Sequence, residues 1–117
     1  NMIAAVTMVA ISEGVMAAEA FGLEPQRVRA LLSESVVGSG FLRYKLPKVQ
    51  ERDFSTQFAL TLMQKDVRYF LSMAGSHDRP APVSALVAEL FRAAARAGFA
   101  QQDVSAILAY LNNERPR

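Results

Sequence analysis

The sequence predicts an all-α protein, a single helical bundle of about six helices organised around one long central helix. Three observations lead there. No alternating apolar–polar pattern runs longer than about four residues, so no strand is signalled. Apolar residues recur instead at helical spacing, between Pro residues that open segments and Gly residues that close them. Finally, 117 residues, 51% of them hydrophobic, fit one domain able to bury a core.

The first segment, Asn1 to Leu23, is rich in Ala and Met, and Gly22 is placed to end it. Its polar positions are few, Thr7, Ser12, Glu13 and Glu19, so it is expected to be central or pressed against a partner. Asn1 is a candidate N-cap; alternatively the chain begins partway along a helix of a larger protein. Glu24 to Ser35 gives a second helix, with Pro25 in its first turn and Val28, Leu31 and Leu32 on one side. The VVGSG stretch then breaks the pattern. A shorter piece, Phe41 to Gln50, is interrupted by Pro47. Ser55 or Thr56 is placed to cap the next helix, Gln57 to Ser76. Pro82 opens a helix over Val83 to Ala97, stopped by Gly98. Asp103 caps a last helix, Val104 to Leu111, before the polar tail NNERPR.

Composition removes several functions. The net charge of +2 is too small to argue for nucleic acid, and the basic residues do not form a stripe. PQRVRALLSES lacks a preceding helix–turn partner that would make it a recognition helix. With no Cys and one His there is no disulfide framework and no cluster of metal ligands. The absence of Cys fits a cytoplasmic setting. The uncharged apolar run Met2 to Ile11 falls short of the roughly 20 residues of a membrane span, so a soluble protein is expected, without a membrane partner. No G-x-G-x-x-G, P-loop, G-x-S-x-G or H-E-x-x-H occurs. His77, near a helix C-terminus, reads as a capping residue, and Arg27, Arg29, Arg92 and Arg96 read as solvated faces.

What remains is FALTLMQKDVRYF, Phe58 to Phe70, a largely apolar helix with Lys65 and Asp66 in its middle. Phe58 and Lys65, seven residues apart, are expected about 20° apart on one face, with Asp66 turned about 100° away. One reading is a solvated strip with Lys65 snorkelling. The other is a binding face on which Lys65 donates to a ligand oxygen. Periodicity leaves both open. Gly38-Ser39-Gly40 is open in the same way, as a helix connector or as backbone that approaches a carboxylate or phosphate closely.

The order of segments carries a resemblance. An Asn opens a long apolar helix bearing S-E-x-x-x-x-A-E and G-L, followed by G-S-G. Then come P-x-x-x-x-R-D-F, F-x-L-x-L-M-x-K-D, a P-x-P-like loop, E-L-F and G-x-x-x-x-D-x-S-A. Taken together this resembles the C-terminal domain of the β-hydroxyacid dehydrogenase family, the 3-hydroxyisobutyrate dehydrogenase-like enzymes, whose helical domain is similar to that of 6-phosphogluconate dehydrogenase. The resemblance covers almost the whole chain, and Arg52 to Phe54 with Phe58 to Asp66 are its most specific part.

The resemblance implies that residues 1–117 are a C-terminal substrate and dimerisation domain, preceded in the family by a Rossmann domain that this sequence does not include. It implies NAD or NADP as cofactor of the full-length protein, with Lys65 contacting it, Asp66 orienting Lys65 and Phe58 packing near the nicotinamide. Asn1 inherits a substrate-binding role, and Ser39 and Gly40 lie at the loop that contributes to the substrate pocket. The family's catalytic Lys stands four residues before this Asn, so no catalytic residue is assigned here and the fragment is expected to be inactive and not to hold the cofactor tightly. A homodimer is expected, also because Met2 to Ala20 has too many apolar faces for a small monomer. Imine reductases share the domain, and a non-enzymatic helical interaction module is the remaining alternative. The resemblance favours the cofactor-cleft reading of Lys65 and Asp66.

Overall fold

The computed structural model describes residues 1–116, so the last residue of the polar tail, Arg117, lies outside the described residues. The helices are α1 (Met2–Ala20), α2 (Pro25–Glu34), α3 (Gly40–Glu51), α4 (Leu60–Ser76), α5 (Pro82–Ala94) and α6 (Ile107–Leu111). A π-helical turn, Ala95–Phe99, extends α5, and a 3-10 turn, Val104–Ala106, leads into α6. Among the described residues there is no strand, only one antiparallel bridge between Ala59 and Asp103. The expected all-α bundle is therefore found.

Helix α1 is the central element and touches all five other helices. Ala5, Met8, Val9, Ser12 and Val15 form its buried stripe, at the i, i+3, i+4, i+7 spacing of one helix face. Ser12, the polar member, donates its hydroxyl to the Met8 carbonyl at 2.8 Å. By length and composition alone α1 could cross a membrane, which its ten-residue uncharged run understated; its central position accounts for the apolar stripe without one. Gly22, at φ 67°, closes the helix, with the Leu23 N–H bonded back to the Ala18 carbonyl at 2.9 Å.

Helix α2 lies on α3 and buries only Val28, while Leu31, expected on the same apolar side, is 65% exposed. Polar contacts hold it instead. Arg29 donates to Gln50 and Glu51, and Gln50 donates to the Pro25 carbonyl, so Arg29 is not simply a solvated charge. Helix α3 runs unbroken through Pro47, against the expected interruption. Leu46 and Val49, both fully buried, and Leu42 anchor the turns on either side, which offsets the hydrogen bond Pro47 cannot make. Its end is fastened by Arg52, whose guanidinium forms a two-pronged pair with Glu19 of α1 (2.7 and 2.9 Å) and reaches Glu114 at 3.0 Å.

The largest departure from expectation lies before α4, which begins at Leu60 rather than Gln57. The chain ahead of it runs instead as an irregular segment alongside residues 100–104. The Asp103 N–H donates to the Phe54 carbonyl, the Val104 N–H to that of Phe58, and the Leu60 N–H to that of Gln102. Ser55 and Thr56 therefore do not cap α4. Ser55 bonds to Asp53 and Thr56 to the Gln101 carbonyl. Helix α5 ends at Ala94 and passes into the π-helical turn, which Gly98, at φ 104°, breaks at the expected stop. Asp103 does cap the last segment, accepting from the Ser105 N–H at 3.1 Å, although that segment begins as a 3-10 turn. Phe91, Phe99, Leu60, Ile107 and Leu108 fill the core between these pieces, and Phe99 meets Tyr110 edge to face at 6.4 Å between centroids.

Candidate functional site on helix α4

Helix α4 places Leu60, Met63 and Val67 in the core, which turns Lys65, Asp66 and Tyr69 outward. The Lys65 side chain is half exposed and its ammonium stands 3.2 Å from Asp66 Oδ1. The same ammonium lies 5.7 Å from the centre of the Tyr69 ring, one helical turn on. The other Asp66 oxygen, Oδ2, accepts from the side-chain amide of Asn1 at 2.5 Å. The Asn1 hydrogen bond, and after it Lys65, hold the Asp66 carboxyl below its ordinary range despite partial burial. Asn1, Asp66 and Lys65, 65 residues apart in sequence at the extremes, thus form one connected polar row.

Around this row the surface is concave. Asn1, Met2, Ile3, Asp66, Tyr69 and Met73 border a depression of about 370 Å³. Tyr69 divides it from a second one, about 380 Å³, bordered by Lys65, Arg68, Tyr69 and Ser72. A nicotinamide dinucleotide is a polyanion with a polar ring face, and this wall offers it exposed cations in Lys65 and Arg68. The residues present fit such a group.

Not every expected residue joins the row. Phe58 precedes α4, so it shares no helical stripe with Lys65; its N–H is held by Asp103 Oδ2 at 3.1 Å and its half-buried ring packs against the core. The helical reading failed because Asp103 captures the N–H groups of residues 57 and 58 and holds them in a bend ahead of the helix. Ser39 caps α3, its Oγ accepting from the Leu42 N–H at 3.1 Å, and Gly40 is the first residue of that helix. Neither makes a hydrogen bond to Asn1, Lys65 or Asp66. The glycine with a steric need is Gly38, where a Cβ would fall 2.3 Å from the Ser33 carbonyl oxygen. That requirement is internal to the α2–α3 connection.

Sequence reading also passed over a buried pair. Lys45 of α3, 4% exposed, reaches Asp103 Oδ1 at 2.6 Å, and Asp103 is fully buried. Asp103 accepts four further bonds, from the Ser105 N–H and hydroxyl and from the Gln57 and Phe58 N–H groups. Burial pushes its carboxyl up, but Lys45, Ser105 and the backbone donors outweigh it and the net direction is down. The one available signal was a lone Lys at a core-facing position of α3, flanked by Leu42, Leu46 and Val49. Through this carboxylate α3, the entry to α4 and the last helix share one anchor.

Comparison with known proteins gives this arrangement a context. The chain is 28% identical over its whole length to glyoxylate/succinic semialdehyde reductase 2, chloroplastic, of Arabidopsis thaliana, covering 33% of that protein. It is 32% identical over 107 residues to the cytokine-like nuclear factor N-PAC of Aedes aegypti, covering 92% of this chain and 19% of that one. The chain thus spans a third or less of these relatives. Among solved structures, a 3-hydroxyisobutyrate dehydrogenase from Salmonella typhimurium superposes with a TM-score of 0.87 over 93% of this chain and 38% of that one; at 20% identity this likeness shows the fold. A Mycobacterium tuberculosis 3-hydroxyisobutyrate dehydrogenase, solved with L-serine, gives a TM-score of 0.84 at 25% identity, covering 95% of this chain and 40% of that one. Residues 1–111 match the family described as NAD-binding of NADP-dependent 3-hydroxyisobutyrate dehydrogenase, and the chain belongs to that family.

Proposed function

We propose that this chain is the C-terminal helical domain of an NAD(P)-dependent β-hydroxyacid dehydrogenase and forms one wall of the cleft in which a small hydroxy acid is oxidised. The observation that carries the reading is the row Asn1–Asp66–Lys65, in a chain whose family is NAD-binding. Lys65 holds a cofactor oxygen by a charge-assisted hydrogen bond. Asp66 fixes the Lys65 ammonium on one side and the Asn1 amide on the other. Asn1 keeps its side-chain carbonyl for a substrate hydroxyl. The bound nicotinamide supplies the hydride acceptor, and proton transfer belongs to a residue outside this chain. Within the complete enzyme the domain positions and orders; by itself it is inactive.

The test is Lys65→Ala in the full-length protein. A KM for NAD⁺ or NADP⁺ raised about tenfold or more is expected from loss of one charge-assisted contact. Unchanged cofactor affinity and turnover would instead favour a non-enzymatic helical module.

Dimerisation is the second part of the proposal. Phe21, Leu23, Leu31, Val36 and Val37 are exposed around α2, from 53% to fully open. Such a run of apolar surface is what a protein–protein contact covers. A monomer by light scattering would count against it.

A further inference from the structure

Tyr69 is 67% exposed and lies outside the hydrophobic core, so packing does not account for an aromatic ring at that position. Its contact is with Lys65, whose ammonium nitrogen lies over the ring, 5.7 Å from its centre. Helical side chains lean toward the N-terminus, which brings the ring of residue 69 back over the turn that carries residue 65. A cation at that distance from a ring face is attracted by the ring quadrupole.

The neighbouring charges give the contact a direction. At about 100° per residue, Arg68 stands about 60° to one side of Lys65, and Tyr69 and Asp66 stand about 40° and 100° to the other. Arg68 is a like charge three residues from Lys65, bordering the same depression, and pushes the ammonium away from its side. Asp66 Oδ1, at 3.2 Å, and the Tyr69 ring draw it the opposite way, toward the row that ends at Asn1. Asp66 alone is a loose restraint, because adjacent residues on a helix do not face one another and the Lys65 side chain is half exposed. Tyr69 also borders the depression at Asn1, so its ring stands at the boundary between the two sides.

We infer that Tyr69 is a positioning residue for Lys65, its ring face steadying the ammonium on the Asn1 side of α4, where Lys65 meets the cofactor. The inference rests on the proposed function in giving Lys65 that task. The ring and not the hydroxyl does the holding, and the effect passes through Lys65.

The test is a calorimetric titration of the full-length protein with NADH and with NADPH. For the cofactor that binds more tightly, Tyr69→Leu is expected to raise Kd about threefold, the worth of one exposed cation–π contact. Tyr69→Phe keeps the ring and should keep the parent Kd. In a Lys65→Ala background Tyr69→Leu should add nothing, because the group it positions is gone. A merely structural role would leave the loss in place in that background and would lower the melting temperature, which loss of an exposed ring should not. A parent-like Kd in Tyr69→Leu, an equal loss in Tyr69→Phe, or a threefold loss that persists beside Lys65→Ala overturns the inference. If Lys65→Ala weakens the cofactor about tenfold while Tyr69→Leu does not, the proposed function stands and the positioning role falls. If Lys65→Ala leaves binding unchanged, the proposed function falls and takes the inference with it.

Discussion

Replacing Asp103 with Ala removes the acceptor of five hydrogen bonds at once and leaves the Lys45 ammonium buried without its partner. Breaking a buried ion pair from one side costs about 3–5 kcal/mol, because the remaining charge is uncompensated. The lost backbone acceptors place Asp103→Ala at the top of that range, a large share of a total stability of about 5–15 kcal/mol. Lys45→Met is the informative counterpart. It is close in volume and leaves Asp103 with four donors, so only one charge-assisted bond is lost, about 1.5–3 kcal/mol. Urea unfolding followed by circular dichroism reads both. With a slope of about 1.5 kcal/mol per M, Lys45→Met should lower the midpoint by about 1–2 M and Asp103→Ala by about 3 M, or to no cooperative transition at all. If the two variants unfold together, or within about 0.3 M of the parent chain, the carboxylate is not the anchor and the reasoning fails.

Acid should destabilise the fold with a definite sign. Asp103, Asp53, Asp66 and Glu19 all have carboxyls held below their ordinary values, so in the window beneath those values the unfolded chain binds more protons. Their contribution is full above about pH 4.5 and is lost as the pH falls through the folded values; an unfolding free energy flat from pH 5 to about pH 2.5 would contradict this. Asp78, exposed and in the left-handed region at φ 51°, ends α4 with no side-chain partner among the described residues, so Asp78→Gly should raise the melting temperature by about 2–5 °C. A fall would show that the aspartate contributes more than its backbone conformation costs. Gly38→Ala should cost about 2 kcal/mol or more, because its Cβ meets a backbone oxygen, whereas Gly40→Ala, with open space around it, should stay within about 0.5 kcal/mol. Equal midpoints for the two alanine variants would remove the steric assignment.

Helix termini with their own chemistry were legible in the sequence. Gly22, Pro25, Pro82 and Asp103 each mark an end where expected, because capping and φ restriction act within a few residues. The start of α4 was not legible. Nothing in QFALTL announces that a carboxylate 45 residues later holds its backbone out of the helix, so helical periodicity ran on through Phe58. Pro47 misled in the opposite direction, since its local cost is outweighed by packing of Leu46 and Val49. Of the candidate site, Lys65 and Asp66 stood out as charges in an apolar helix, and the resemblance added Asn1. The Asn1–Asp66 contact itself depends on how α1 and α4 cross, which no local pattern encodes. Arg68 and Ser72 were indistinguishable from any solvated helix face until the depression around them was seen.

The Asp103 anchor also orders events during synthesis. Helices α1 to α4 emerge from the ribosome first, yet the entry to α4 has no fixed backbone until residues 103–105 have followed. Until then Lys45 lacks the ion-pair partner it has in the fold. The start of the helix that carries Lys65 is therefore fixed only after residues 103–105 have been made. Shortening the chain by its last fifteen residues removes Asp103 and with it the register of a helix that starts more than 40 residues earlier.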